Sequence, residues 1–316
     1  MTKDFASIGD LADKKASFDP VGPGLYAFTA ENDPNSGVIV GDDCCMVVDA
    51  QATPAMASDL IARLARVTDR PVRYVLLTHY HAARALGASA FKGAEILASD
   101  ATRALIAERG RQDMDSEIGR FPRLFRAAET IPGLTWPSIT VPDQMSVWLG
   151  RREVRVMHIG RGHTAGDVIA AVPDCGAVFA GDLVECKSAC YCGDAHFTDW
   201  PATLDNLAEM QPMALVPGRG AALTTPEQVK DGIAITADFL TTLYGSVTDS
   251  VARGRSLKDA FDFARIALDP KFAAFALYEH RLPFSVSRAY DEARGIEWPA
   301  IWTAERDREM WAALQD

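Results

Sequence analysis

Two histidines one residue apart, His79 and His81, follow the apolar run VRYVLL (72–77) in the stretch THYHAARALGASAF (78–91). Imidazoles at i and i+2 on the loop leaving a strand can converge on one cation, and neutral imidazole nitrogen is a preferred zinc ligand. No carboxylate or third imidazole follows directly; Ala82, Ala83 and Arg84 do. A third histidine, His163, stands in GRGHTAGD (160–167) after the strand-like EVRVMHI, and Asp182 ends the run AVFAGD. Each of these four residues sits where a strand hands its last side chain to a loop. All can therefore meet at one sheet edge while the core stays apolar, the usual placement of a site on a rigid scaffold.

The elements that must position them read as a mixed α/β chain. Short apolar runs broken by turn residues (GLYAF, GVIVG, CCMVVDA) predict a strand meander over residues 20–50. Thr53-Pro54 supplies an N-cap and an N1 proline for a helix with Leu60, Ile61, Leu64 and Val67 on one face. After the histidine loop come a strand, AEIL, and a helix begun by Ser99. Residues 110–145, rich in Arg, Phe and Pro, show no clear period and read as a lid or binding loop. Strands resume with EVRVMHIG, VIAAVP, AVFAGD and MALVPG, interrupted by a helix over 199–210 capped by Asp199. From Thr225 onward the pattern is helical: Val229, Ile233, Leu240, Leu243, Val247 and Val251 keep helical spacing, Ser256 starts another helix, and a last one follows Thr303. The tail over 225–316 either caps the sheet or forms a dimer interface, and a homodimer is the expectation.

The chain has 316 residues, 48% hydrophobic and 24% charged, enough for a sizeable core. A net charge of −11 without a block of Lys or Arg argues against nucleic acid and anionic membranes as partners, whose recognition begins with phosphate neutralisation. The opening MTKDFASIGDLADKK lacks the apolar segment of a signal peptide, so a cytoplasmic protein with reduced cysteines is expected. Cys186, Cys190, Cys192 and His196 cluster in ECKSACYCGDAHF, but their spacing is not that of a zinc knuckle and they read as loop residues. His158 and His280 read as structural. The RFPRLFR segment (120–126) either lines the cleft or packs its two Phe residues down.

The order THYH, GHTAGD, FAGD and VPGRG resembles that of the metallo-β-lactamase superfamily over roughly residues 20–224. The resemblance implies a four-layer αββα sandwich (residues 1–224) with two metals in a shallow cleft at the sheet edges; the helical pattern of 225–316 makes that stretch a C-terminal extension. The family's H-x-H-x-D-H falls on His79, His81, Ala83 and Arg84, its middle histidine on His163, its bridging aspartate on Asp182, and the histidine of its last turn on Arg219. The three-histidine position is intact; the second position keeps only Asp182. Arginine cannot ligate a metal and repels a second dication, so Arg84 and Arg219 are expected either as charge partners of Asp182 or as a fork for a substrate carboxylate or oxyanion. Asp49 and Asp167 also match family positions, where they read as supporting residues.

The expected function is a mononuclear hydrolase of a small ester, lactone or amide, with an anionic substrate among the candidates. One Zn2+ per chain (Fe2+ or Mn2+ as alternatives) is held by His79, His81, His163 and Asp182, with metal-bound hydroxide as nucleophile. Asp182 orients the water or takes its proton, and Arg84 or Arg219 stabilises the oxyanion. Two alternatives stand beside it. His79, His163 and Asp182 form a 2-His-1-carboxylate set like that of Fe(II) dioxygenases of the sulfur-dioxygenase type. The other is a ligand-binding protein on a scaffold whose histidines are relics.

Overall fold

The alternation of apolar runs and turn residues resolves into two facing sheets in the computed structural model, which describes residues 6–315. The first has seven strands in sequence order: β1 (Ala16–Gly22), β2 (Leu25–Ala30), β3 (Ser36–Val40), β4 (Cys45–Val48), β5 (Val72–Leu76), β6 (Glu95–Ser99) and β7 (Ile139–Val141). The meander β1–β4 is antiparallel; β4 to β7 pair in parallel. The second sheet is β8 (Gln144–Leu149), β9 (Arg152–Met157), β10 (Ile169–Val172), β11 (Ala177–Glu185) and β12 (Ala214–Arg219), with β11 and β12 parallel and the other pairs antiparallel.

Leu25, Ile39, Met46 and Leu76 of the first sheet meet Val147, Val154, Phe179 and Val216 of the second in one buried cluster. Each such side chain contributes about 1.5–3 kcal/mol when taken from water. Helix α1 (Pro54–Leu64), capped by Thr53 whose hydroxyl accepts from the Met56 amide, buries Ala57, Leu60 and Leu64 over the outer face of the first sheet. The outer face of the second sheet is covered by α4 (Trp200–Glu209), α5 (Pro226–Ala252), α6 (Leu257–Phe272) and α7 (Tyr278–Ala293), which share a core with Ile169, Val178 and Leu183. The result is the expected αββα sandwich with a helical C-terminal region, and that region packs on the sheet. No helix among the described residues is long and apolar enough to cross a membrane.

Two further helices pack against the long helix that follows β6. A four-residue helix, α2, spans Ala82–Ala85 directly after the histidine loop, and α8 (Ala304–Ala313) packs against α3 (Asp100–Arg120). The segment read as irregular over 110–145 therefore begins as helix: α3, capped by Ser99, runs to Arg120. Its buried face carries Arg109, Asp113, Ser116, Glu117 and Arg120 beside Leu105, Ile106 and Met114, so no apolar stripe marks it. The irregular part is confined to 121–138, with a single turn at Ala128–Thr130. Asp199 precedes α4 but does not cap it; its carboxylate takes Arg161 Nε at 2.6 Å instead.

Candidate metal centre

The loop leaving β5 is tied down before it reaches the histidines. Thr78 donates its amide and its hydroxyl to the Asp49 carboxylate at 2.9–3.0 Å. Asp49 itself holds φ at 61°, a left-handed conformation that costs a non-glycine residue roughly 1 kcal/mol or more and persists only where surrounding bonds fix it. A carboxylate accepts only, so the Thr78 hydroxyl spends its proton on Asp49 and accepts from His79 Nδ1 at 3.0 Å. His79 Nε2 is buried and has no hydrogen-bond partner among the described residues.

The other two imidazoles are oriented in the same way. His163 Nδ1 donates to the Tyr191 carbonyl at 2.8 Å, which leaves its Nε2 as the lone-pair nitrogen. His81 Nε2 faces the Asp194 carboxylate at 3.1 Å, which leaves Nδ1 as the inward nitrogen. His163 Nε2 and His81 Nδ1 then stand 3.0 Å apart, and the ligand atoms of all three rings lie within 4.8 Å of one another. Three inward lone pairs, each fixed by an outward hydrogen bond, are the arrangement that metal-binding histidines adopt, and lone pairs this close need a cation or a proton between them. The donor set fits one metal ion of the zinc type. Among the described residues these three form the one group of His, Cys, Asp or Glu so arranged.

Asp182 reaches the cluster from β11. Gly181 before it has φ 54°, and a Cβ there would stand 2.6 Å from Thr78 Oγ1; only glycine lets β11 cross this close to the histidine loop. Asp182 Oδ2 lies 3.8 Å from His79 Nε2 and 3.6 Å from His163 Nε2. Arg84 donates to the other oxygen, and Arg219 Nη1 donates to Oδ2 at 3.3 Å. Arg84 also donates to the carbonyls of Asn35 and Gly218, each at 2.7 Å, and Arg219 to Glu185 at 3.1 Å. Glu185 takes Arg281 of α7 at 3.2 Å. Of the two expectations for the arginines, the structure has them as partners of Asp182.

Charges follow from burial. Burial pushes the Asp182 carboxyl up, but Arg84, with His79 and Arg219, outweighs it and holds the group well below the usual carboxylate range. Burial takes His163 down to about 3. His81 is the exception: burial lowers it, yet Asp113, Asp194 and Glu117 together raise it to about 9 in the metal-free chain. Asp113 and Glu117, one turn apart on α3, accept from the Ala82 and Ala83 amides at 2.7 and 2.9 Å and so fix the helix that carries Arg84. Burial, then the Glu117 charge, raises the Asp113 carboxyl above its ordinary range.

The sequence matches the family described as "Metallo-beta-lactamase superfamily" over residues 30–219. The chain belongs to the metallo-β-lactamase superfamily. As a member it is 24% identical over 202 residues to "Metallo-beta-lactamase type 2" of Bacillus sp. (strain 170), covering 62% of this chain and 70% of that protein. It is 17% identical over 270 residues to the "Linear primary-alkylsulfatase" of Pseudomonas sp. (strain ATCC 19151), covering 74% of this chain but only 50% of that protein. Similar solved structures include the metallo-β-lactamase from Pontibacter korlensis (TM-score 0.58, 17% identity, 72% of this chain and 99% of that one). FIM-1 from Pseudomonas aeruginosa in its mono-zinc form is another (TM-score 0.56, 18% identity, 72% and 96%). At these identities the solved structures speak for the fold.

In this superfamily member His79, His81, Asp182, Arg84 and Arg219 of the sequence-predicted set line one small cavity, and His163 stands against His81 and Asp182 beside it. Asp167 caps its own turn, accepting from the Thr164 amide and hydroxyl at 2.8 and 2.7 Å. His158 bonds the Asp167 carbonyl at 2.7 Å, and His280 meets Ser7 Oγ at 2.8 Å. Cys190 and Cys192 are buried in the core of the second sheet, and His196 lies against Trp298. Asp113 and Glu117, on the unread half of α3, escaped the sequence reading, and so did three more residues. Asp194 lies in the same stretch as the cysteines, which drew attention from it; Tyr191 acts through its carbonyl, which no residue type announces; Arg281 sits on a tail helix about a hundred residues from its partner.

Proposed function

We propose that this chain is a mononuclear metal-dependent hydrolase of a small ester, lactone or amide. The observation that carries the reading is the inward convergence of His79 Nε2, His81 Nδ1 and His163 Nε2 with each outer nitrogen already bonded. These three would hold one ion. A bound zinc-type ion supplies Lewis acidity, polarising a carbonyl and bringing the pKa of a water toward about 7.

Asp182, edged against both His79 and His163, accepts hydrogen bonds and so orients the attacking water; with guanidinium donors on both oxygens its task is placement and charge. Arg84 and Arg219 fix that carboxylate and add positive potential where an oxyanion develops. The cavity is small, about 20 Å3 open to the centres of water-sized molecules, with Phe121 and Tyr191 in its wall. That is room for about one water, so substrate entry requires this wall to part. The relatives named metallo-beta-lactamase and linear primary-alkylsulfatase carry the names of hydrolases, which supports hydrolysis as the reaction class.

The Fe(II) dioxygenase reading draws on Asp182 Oδ2, 3.8 Å from His79 Nε2 and 3.6 Å from His163 Nε2. Elemental analysis of tag-free protein decides between them. About one zinc per chain, lost in His79→Ala together with ester, lactone or amide turnover, is the expected result. One iron with oxygen uptake selects the dioxygenase, and no metal after incubation with zinc overturns both.

A further inference from the structure

The metal cavity contains an arginine that nothing described so far employs. Arg120, the last residue of α3, lines the same cavity as His79, His81 and Arg84, and is only 3% exposed. Its guanidinium lies over the Phe284 ring at 4.4 Å, with the rings of Tyr191 and Phe121 at 5.7 and 5.9 Å. Stacked rings satisfy the faces of a guanidinium and fix its plane, but they accept nothing from the N–H groups at its edge. Nε has an ion-pair partner, Asp307, at 3.4 Å. Nη1 and Nη2 have no hydrogen-bond acceptor among the described residues.

The contrast with its neighbours defines the role. Arg84, Arg219 and Arg281 line the same cavity, and each spends terminal donors on Asp182, Glu185 or a backbone carbonyl. Arg120 has a pre-oriented, buried fork with both terminal donors open. Leaving charged donors unmet in a buried site is costly, and a carboxylate presents two coplanar oxygens that match two parallel N–H groups.

We propose that Arg120 is the anion-recognition residue of the cavity and that the substrate carries a carboxylate, gripped by Nη1 and Nη2 while its scissile group faces the histidines. Arg84 and Arg219 are not the hook. The proposal deepens the hydrolase reading and rests on it only for what lies at the other end of the substrate.

The test uses the full chain, as purified and again after chelator treatment, titrated with sodium acetate or with isosteric, neutral acetamide at matched sodium chloride. Calorimetry and thermal shift report binding. Acetate is expected to bind on the order of tenfold tighter than acetamide in both preparations. Arg120→Met should erase that preference in both, and Arg120→Lys, which keeps the charge but not the fork, should keep only part of it. Equal binding of the two probes by the wild-type chain, or a preference untouched in Arg120→Met, overturns the proposal. So does failure of both variants to fold, the mark of a purely structural arginine. The chelator-treated arm needs no metal, so a failure of the metal reading leaves this result independent.

Discussion

His163 Nε2 and His81 Nδ1 face each other at 3.0 Å, each with its far nitrogen bound to an acceptor. In the metal-free chain the carboxylates around His81 raise it to about 9 against burial, so at neutral pH a proton occupies the gap that a metal would take. Zinc binding should therefore release close to one proton per ion at pH 7, and apparent affinity should rise about tenfold per pH unit up to about 9. Calorimetry in buffers of different ionisation heat measures the proton count; a count near zero contradicts the assignment. The same raised pKa has a stability sign. Metal-free protein holds the His81 contribution in full below about 6.5 and loses it as pH climbs through about 9.

Asp194 orients His81 and holds its proton, and is itself held by Arg109 Nη1 at 3.2 Å. Asp194→Asn should weaken metal binding roughly 10–100-fold, as loss of an outer partner of a metal histidine usually does. It should also reduce the proton release just described. Wild-type affinity in the variant would show that the contact is incidental.

Arg84 neutralises Asp182 from a wholly buried position and also serves two carbonyls. Arg84→Met leaves a buried carboxylate with Arg219 alone, and a cost of about 3–5 kcal/mol is expected, read as a lower midpoint in denaturant. A cost within about 0.5 kcal/mol would mean that the pair is solvated in solution.

Gly181 combines a left-handed φ of 54° with a missing Cβ that would sit 2.6 Å from Thr78 Oγ1. Gly181→Ala should cost about 1–3 kcal/mol and, because the displaced group is the acceptor for His79, should lower metal occupancy as well. Full occupancy with unchanged melting would refute the placement of β11 against the histidine loop.

Burial pushes the thiols of Cys186 and Cys192 up to about 12 and that of Cys190 well above its ordinary value. Iodoacetamide at pH 8 should leave all three unmodified in the native protein and label them after unfolding, read by peptide mass. Rapid native labelling would reopen a redox role for this loop.

The fold and the three histidines were legible because both rest on local signals. Strand runs alternate with turn residues, caps such as Thr53 and Ser256 announce helices, and His79, His81 and His163 stand in the loops after β5 and β9; Asp182, expected at the end of its strand, lies inside β11, which runs on to Glu185. The C-terminal half of α3 was not legible, since its buried face is charged and the apolar period that marks a helix is absent. The partners that give the site its character were not legible either.

By itself the sequence determined the layered α/β architecture, the three-imidazole set and the replacement of further ligands by Ala83, Arg84 and Arg219, because residue type and spacing carry that information. Tertiary structure alone decided which arginines are spent and which is open. Arg84 and Arg219 close on Asp182, whereas Arg120 ends a helix among three aromatic rings with its outer donors unmet. A guanidinium looks the same in any sequence; its partners come from strands and helices far apart in the chain, and packing sets which of them arrive.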